Sequence, residues 1–91
     1  MVKVRNMSSP NGNKVSNQFV IENEDCDIFQ SYGTIIAKKY FDGSGKVLLD
    51  ESKWDYSRTT GKYRNIFLGE VKSETLKKIK SGEYILTNLN G

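Results

Sequence analysis

Cations and aromatic rings alternate within a short stretch near the middle of the chain. The residues that could bind a partner there are Lys53, Tyr56, Arg58, Lys62 and Arg64. Cations attract phosphates and carboxylates, and aromatic faces stack on unpaired bases for about 1–3 kcal/mol per base. The pattern therefore predicts a surface that binds an anionic partner. The alternative is that the apolar neighbours of these cations form the core and the cations are the solvated side of the same helix.

Catalytic chemistry has few candidates in this sequence. Ser57 and Asp55 are close together along the chain, but the chain has no histidine, which is the commonest general base and the commonest zinc ligand. A serine here is typical of a helix N-cap, and an aspartate before it is typical of a helix N-terminus. We expect a protein that is not an enzyme and has no catalytic residue, cofactor or metal. A small enzyme that uses Asp55 or Ser57 is the remaining alternative.

Four carboxylates cluster in a second stretch, at Glu22, Glu24, Asp25 and Asp27. They lack the spaced oxygen ligands and the glycine of a calcium-binding loop, so a solvated turn between two strands is the simplest interpretation. The alternative is an acidic patch for a partner. Proteins that handle nucleic acid often carry basic channels, which such a patch could occupy.

Length and composition restrict the class of protein. Ninety-one residues make one small domain, and a net charge of +3 is only a mild basic bias. No apolar run approaches the roughly 18 residues that span a bilayer, and the first residues lack the apolar segment of a signal peptide. The single cysteine, Cys26, excludes an internal disulfide and suits a reducing compartment. We expect a cytoplasmic protein that does not enter a membrane.

Residues 1–16 differ in composition from the rest of the chain. They contain Lys3, Arg5, Lys14 and the only proline, with no acidic residue. A basic and polar segment of this kind favours an extended or mobile arm over a packed element. The composition predicts a flexible basic arm over residues 1–16 and a single α+β domain over residues 17–91.

Alternating apolar residues and turn signals predict the strands. The first pair, residues 18–23 and 27–32, forms a hairpin around the acidic turn. Gly33 then marks a bulge or bend, after which residues 34–41 resume the second strand. The two glycines of residues 42–45 suit a hairpin turn, and residues 46–50 form the returning strand.

Two helices are predicted after these strands. The first begins at Ser57 or Thr59 and ends at Gly69, and the second begins at Ser73 and ends at Gly82. The helical residues predicted to face the core are Tyr63, Ile66, Phe67, Leu76 and Ile79. A last strand follows over residues 83–87. The predicted fold is α+β, with a small antiparallel sheet of four or five strands and two short helices before the last strand.

Two motifs of the chain resemble a known pattern. Residues 31–37 (SYGTIIA) and residues 54–68 (WDYSRTTGKYRNIFL) are similar to the motifs SYxTxVA and WDYSxTTxxxxNxFL of a family of small uncharacterised bacteriophage proteins. The similarity extends over residues 17–90. That family has no assigned activity, so the resemblance implies a phage or prophage origin and a place in the cytoplasm of an infected bacterium, and it implies no mechanism.

Two functions fit these observations. The first is a small phage accessory protein that binds and modulates a host protein, such as a defence component or a protein that handles nucleic acid. The second is direct binding of single-stranded nucleic acid, whose mark is a steep loss of affinity with salt. A host protein is the expected partner, with nucleic acid as the alternative.

Overall fold

The computed structural model describes residues 2–91, which form one six-stranded sheet and two helices. The fold is α+β, with both helices before the final strand, as the sequence predicts. The elements in chain order are β1 (Lys3–Ser8), β2 (Lys14–Glu22), β3 (Cys26–Ser31), β4 (Thr34–Tyr40), β5 (Val47–Asp50), α1 (Arg58–Leu68), α2 (Lys72–Ser81) and β6 (Tyr84–Thr87). No helix of residues 2–91 has the length and apolar character to cross a membrane.

The strands lie side by side in the order in which they occur in the chain. β1 to β5 form an antiparallel meander, whereas β6 pairs in parallel with β5. A parallel pair needs a long crossover connection, and here α1 and α2 provide it. The prediction of a purely antiparallel sheet of four or five strands is therefore wrong in detail: the sheet has six strands and is mixed.

The sixth strand comes from the segment that was expected to be a flexible basic arm. Residues 3–8 form β1, which pairs antiparallel with β2, so that Arg5 lies opposite Val20. The side chain of Met7 is buried in the core, and Arg5 makes an ion pair with Glu22 at 3.4 Å. The expectation of a loose arm over residues 1–16 is corrected for residues 3–8, because they pair with β2 and bury Met7 although most side chains of β1 stay exposed; Met1 lies outside the described residues.

Gly33 belongs to a tight turn between two strands and not to a bulge within one strand. Tyr32 has φ of 51° and Gly33 has φ of 76°, so both central residues of the turn are left-handed. Two successive positive φ values are the mark of a type I′ hairpin turn, whose twist matches that of antiparallel strands. The chain therefore reverses here, and β3 pairs with β4.

The core lies between one face of the sheet and the two helices. Its buried members are Met7, Val20, Phe29, Ile36, Ala37, Val47, Leu49, Tyr63, Phe67 and Tyr84. The rings of Phe29 and Phe67 stack with their centroids 5.7 Å apart, which fixes α1 over β3. Ile79 of α2 packs at the edge of the same cluster.

The bounds of α1 agree with the prediction, but its buried face is rotated. Ser57 is the N-cap and accepts a hydrogen bond from the Thr60 amide, and Gly69 ends the helix in the left-handed conformation. Tyr63 and Phe67 are buried as expected, whereas Ile66 is exposed. Thr60 and Arg64 are buried in addition, because Thr60 shares a hydrogen bond with Ser31 of β3 and Arg64 donates to the Trp54 carbonyl in the loop before α1.

The second helix begins earlier than predicted and packs by a different residue. Its N-cap is Val71, which makes no side-chain cap, and it ends before Gly82 as expected. Leu76 is exposed and Thr75 is buried in its place. The reason is a hydrogen bond of 2.7 Å from the Thr75 hydroxyl to Glu70, which turns this side of α2 inward.

Candidate functional site

A groove of about 750 Å³ runs along the exposed side of α1. One wall is the tip of the β1–β2 hairpin and another is the start of α2. The groove is lined by Pro10, Asp55, Ser57, Arg58, Gly61, Lys62, Arg64, Asn65, Ile66 and Lys72. We call it the α1 groove.

Helix geometry brings the lining residues of α1 together. Arg58, Gly61, Lys62 and Asn65 are three or four positions apart, so they lie on one side of the helix. Gly61 forms the floor: a Cβ there would lie 3.7 Å from the Arg64 guanidinium and from Asp55, and the missing side chain leaves room above. The lack of a side chain at Gly61 therefore lets Arg64 and Asp55 approach the helix backbone beneath the groove.

Arg64 is a structural anchor and does not reach a partner. Its side chain is only 1% exposed. One guanidinium nitrogen donates to the Trp54 carbonyl at 2.9 Å and to Asp55 Oδ1 at 3.0 Å, and another donates to Asn65 Oδ1 at 3.0 Å. The guanidinium also lies over the Trp54 ring. The prediction that Arg64 contacts a partner is thus corrected, because the loop before α1 folds over it.

Asp55 connects the two helices across the groove. Its Oδ1 accepts from Arg64, and its Oδ2 pairs with Lys72 Nζ at 2.6 Å. Burial by itself would raise the pKa of this carboxyl group, but the hydrogen bonds from Lys72 and Arg64 outweigh burial and hold the pKa below its ordinary value. Asp55 therefore stays ionised and already neutralised by its two cations.

The α1 groove carries an excess of positive charge. Four cations and one carboxylate line it, and the carboxylate is occupied by Arg64 and Lys72. Arg58 and Lys62 are exposed, and within residues 2–91 neither of them makes an ion pair. These two cations are the ones that a bound anion would meet first.

Lys53 and Tyr56 lie outside the groove. The Lys53 ammonium sits 4.9 Å from the centre of the Tyr56 ring, and this ring is half exposed. Lys53 also borders a smaller cavity of about 430 Å³ beside Gly33 and Asn90. The predicted set of five binding residues is therefore divided among a buried anchor, the groove and a separate exposed pair.

The acidic residues lie at the far end of β2 from the hairpin tip that carries Pro10. Glu22 is engaged by Arg5, and Asp27 lies opposite it on β3. Burial, and then the charge of Glu22, raise the pKa of Asp27. Glu24 and Asp25 are exposed at the turn. The acidic patch is thus split between a cross-strand cluster and the turn, well away from the α1 groove.

Ser57 and Asp55, the two residues of the enzyme alternative, both have structural partners. The Ser57 hydroxyl caps α1 and donates to Thr60 Oγ1 at 3.1 Å, while both Asp55 oxygens are ion-paired. Across residues 2–91, no three histidine, cysteine, aspartate or glutamate side chains are grouped so that they could hold a metal ion. Cys26 is buried, and burial followed by the charge of Asp25 raises the pKa of its thiol.

A protein-family model matches residues 2–84, from the segment that forms β1 to the first residue of β6. The chain belongs to a family of unknown function (DUF8033). No curated protein and no solved structure matches the chain. The matched range of the DUF8033 chain includes residues 2–16, which is consistent with β1 being part of the fold.

The roles of three residues of the DUF8033 chain were not predicted from the sequence. Lys72 and Pro10 line the groove although neither lies in the central stretch. Glu70, just after α1, accepts from Thr75, Lys78 and Tyr84 at 2.7–2.9 Å. The position of Glu70 after the glycine that ends α1 does not predict this cluster, because the partners of Glu70 are on α2 and β6.

The Glu70 cluster is a second charged centre, and it is closed. Burial would raise the pKa of Glu70, but its hydrogen bonds from Lys78, Thr75 and Tyr84 lower it instead. Burial of Tyr84, together with its hydrogen bond to Glu70, raises the pKa of the phenol to about 12. The cluster ties α2 to β6, and the Glu70 carboxylate is only 8% exposed, while one-third of the Lys78 side chain stays accessible.

Proposed function

We propose that the chain is a small non-enzymatic phage accessory protein that binds a host protein in the bacterial cytoplasm and modulates it. The α1 groove is the proposed contact site, and an acidic segment of the host protein is its proposed occupant. A defence component or a protein that handles nucleic acid fits this description. The phage part of the proposal rests on the resemblance of residues 31–37 and 54–68 to phage motifs.

The observation that carries the proposal is the charge of the groove. Arg58 and Lys62 are exposed without acidic partners, while the one carboxylate that could compensate them is already paired. Exposed like charges in one concave surface attract an anionic partner and speed its association. The N-terminus of α1, next to Arg58, adds the positive end of the helix dipole.

The apolar lining favours a polypeptide over a bare phosphate chain. Ile66 is exposed on one wall, and Pro10 stands on another. From Arg58 to Asn65 the helix rises about 10 Å, which corresponds to about three residues of an extended chain. A segment with two acidic side chains and one apolar side chain would fill this length.

A second candidate is binding of single-stranded nucleic acid, and exposed aromatic rings favour it. Tyr56 and Tyr32 are both about half exposed, and Lys53 lies over the Tyr56 ring. A ring with a neighbouring cation is the arrangement on which unpaired bases stack. Lys53 and Tyr56 would be essential for binding nucleic acid, whereas they would not be essential for binding a host protein in the α1 groove.

The test is capture of partners from host lysate, with and without nuclease, by the wild-type protein and two matched variants. The groove variant is Arg58→Gln/Lys62→Gln/Lys72→Gln. The control is Lys3→Gln/Lys14→Gln/Lys80→Gln, which removes the same charge from exposed positions outside the groove. We expect one host protein to be retained after nuclease by the wild type and the control, and at least tenfold less of it by the groove variant.

Two results would count against this function. Release of the captured material by nuclease, together with loss of binding in Lys53→Gln/Tyr56→Ala, would favour the nucleic-acid candidate. Equal capture by the groove variant and the control would show that the α1 groove is not the site, and the turn at Glu24 and Asp25 would become the next surface to test.

A further inference from the structure

The sheet has two faces, and the helices cover only one of them. Ring stacking of Phe29 on Phe67 shows which face α1 covers, and Ile79 brings α2 to the same side. Neighbouring side chains of a strand point to opposite faces. Residues next to the core positions in each strand therefore lie on a second face, which no helix of residues 2–91 covers.

A single apolar row crosses this uncovered face. Strand register places one residue of each strand in line, from β1 to β6: Val4, Ile21, Ile28, Lys38, Leu48 and Ile85. Five of the six are aliphatic. Val4 and Ile85 at the two ends are exposed, and the four residues between them are partly exposed. Phe19, on the same face of β2, widens the row.

We propose that this face binds the same face of a second copy of the chain, so that the protein is a two-fold symmetric dimer. Six strands about 4.8 Å apart span about 24 Å, and with side chains the face measures about 30 Å by 20 Å. Its outline is therefore about 600 Å², of the same order as the roughly 800 Å² per partner of a standard interface. A second copy has the same twist, so the two sheets pack aligned, at about 10 Å.

Lys38, the one charged residue of the row, fits this arrangement. A two-fold axis that runs along the strands between β3 and β4 places each Lys38 over β3 of the other copy. There the aliphatic stem packs on Ile28, and the amide oxygen of Gln30 can accept from the ammonium group. The two ammonium groups stay on opposite sides of the axis. Both helix layers then face outward, so both α1 grooves remain open.

Sedimentation velocity of the full chain, from about 1 µM to 1 mM, tests the dimer against matched variants. Val4→Lys/Ile85→Lys changes positions that are 60% and 45% exposed on the uncovered face. The control Val71→Lys/Leu76→Lys changes positions in the helix layer that are 61% and 45% exposed, the N-cap of α2 and a residue within α2. We expect a dimer of the wild type and of the control, with a dissociation constant at least tenfold higher for Val4→Lys/Ile85→Lys.

A protein that stays monomeric up to 1 mM would overturn the proposal, and Lys38 would then act as a charge that keeps a bare sheet from associating. A dimer that both double variants weaken equally would also overturn it, because the helix layer would then form the interface. Circular dichroism checks that each variant is folded. If a double variant unfolds, the single pair Val4→Lys and Val71→Lys gives the same comparison.

Discussion

Asp55 and Glu70 stand at opposite ends of α1, and each ties that helix to α2 in a different way. The Glu70 side chain is 8% exposed and accepts from three donors on α2 and β6. The Asp55 side chain is 32% exposed and has two cationic partners, one buried below α1 and one on α2. The first cluster is enclosed, whereas the second opens into the α1 groove.

The difference shows how to separate structural from available charge in a small domain. Lys78, the one cation of the Glu70 cluster, makes an ion pair with the Glu70 carboxylate, and its ammonium group also lies over the Tyr84 ring. Both oxygens of the Asp55 carboxylate are paired, with Arg64 and Lys72, and further cations line the same groove. Arg58 and Lys62 therefore give the groove its net charge, while Arg64, of the same residue type as Arg58, holds the fold.

The largest effect is expected where the two arginines of α1 are compared. Arg64→Ala removes a buried side chain with its three hydrogen bonds, and we expect the free energy of unfolding to fall by about 2–4 kcal/mol. Arg58→Ala, at an exposed position, should change it by less than about 0.5 kcal/mol. Urea denaturation measures both. Similar stabilities of the two variants would show that Arg64 is no anchor.

A smaller effect separates Glu70 from an exposed glutamate of α2. Glu70→Gln leaves its donors poorly matched and should cost about 1–3 kcal/mol at pH 7. Glu74→Gln removes only a 3.7 Å surface pair with Lys77 and should cost less than about 0.5 kcal/mol. The folded pKa of Glu70 lies below its ordinary 4.5. Its contribution is therefore complete above pH 4.5 and is lost as the pH falls through the folded pKa.

The acid range gives this prediction a second readout. Below pH 4.5 the stability of the wild type should fall towards that of Glu70→Gln. A constant gap between the wild type and Glu70→Gln from pH 7 to pH 3 would contradict the assignment of an ionised, buried Glu70.

The smallest expected effect concerns the floor of the groove. Gly61→Ala adds a Cβ at ordinary contact distance from Arg64 and Asp55. Because alanine loses less conformational entropy in a helix, the variant should be more stable by about 0.5–1 kcal/mol. Gly69→Ala is the control: φ is 71° there, so that variant should be less stable. Thermal unfolding measures both variants. A loss of stability in Gly61→Ala would mean that Arg64 and Asp55 leave no room for a Cβ at this position.

Local chemistry made part of the fold predictable. Three helix boundaries were predictable: the start of α1 at Ser57, its end at Gly69 and the end of α2 at Gly82. Each is set by hydrogen bonds within a few residues. The turn over residues 42–45 was predicted for the same reason. The class α+β, and the place of the helices before β6, followed from the order of these elements.

The remaining features depend on partners that are distant in the sequence. β1 has the composition of a polar arm, and only its pairing with β2 makes it a strand. From its place in the sequence Arg64 is expected to be a solvent-exposed cation. It is buried because the loop that carries Trp54 and Asp55 folds over it. The groove needs Pro10 and Lys72 from two further elements. Spacing within one helix contains none of this information.

The parallel pairing of β5 with β6 has a consequence for the order of folding. Each of the first four strand pairs closes over a turn of a few residues, so these pairs can form early and independently. β6 is connected to β5 only through residues 51–83, which contain both helices. We expect hairpin formation to be fast and the docking of β6, with Tyr84 under Glu70, to be the slow step. Until then Val47 and Leu49 have an open edge beside them, where a strand of another molecule could pair in place of β6.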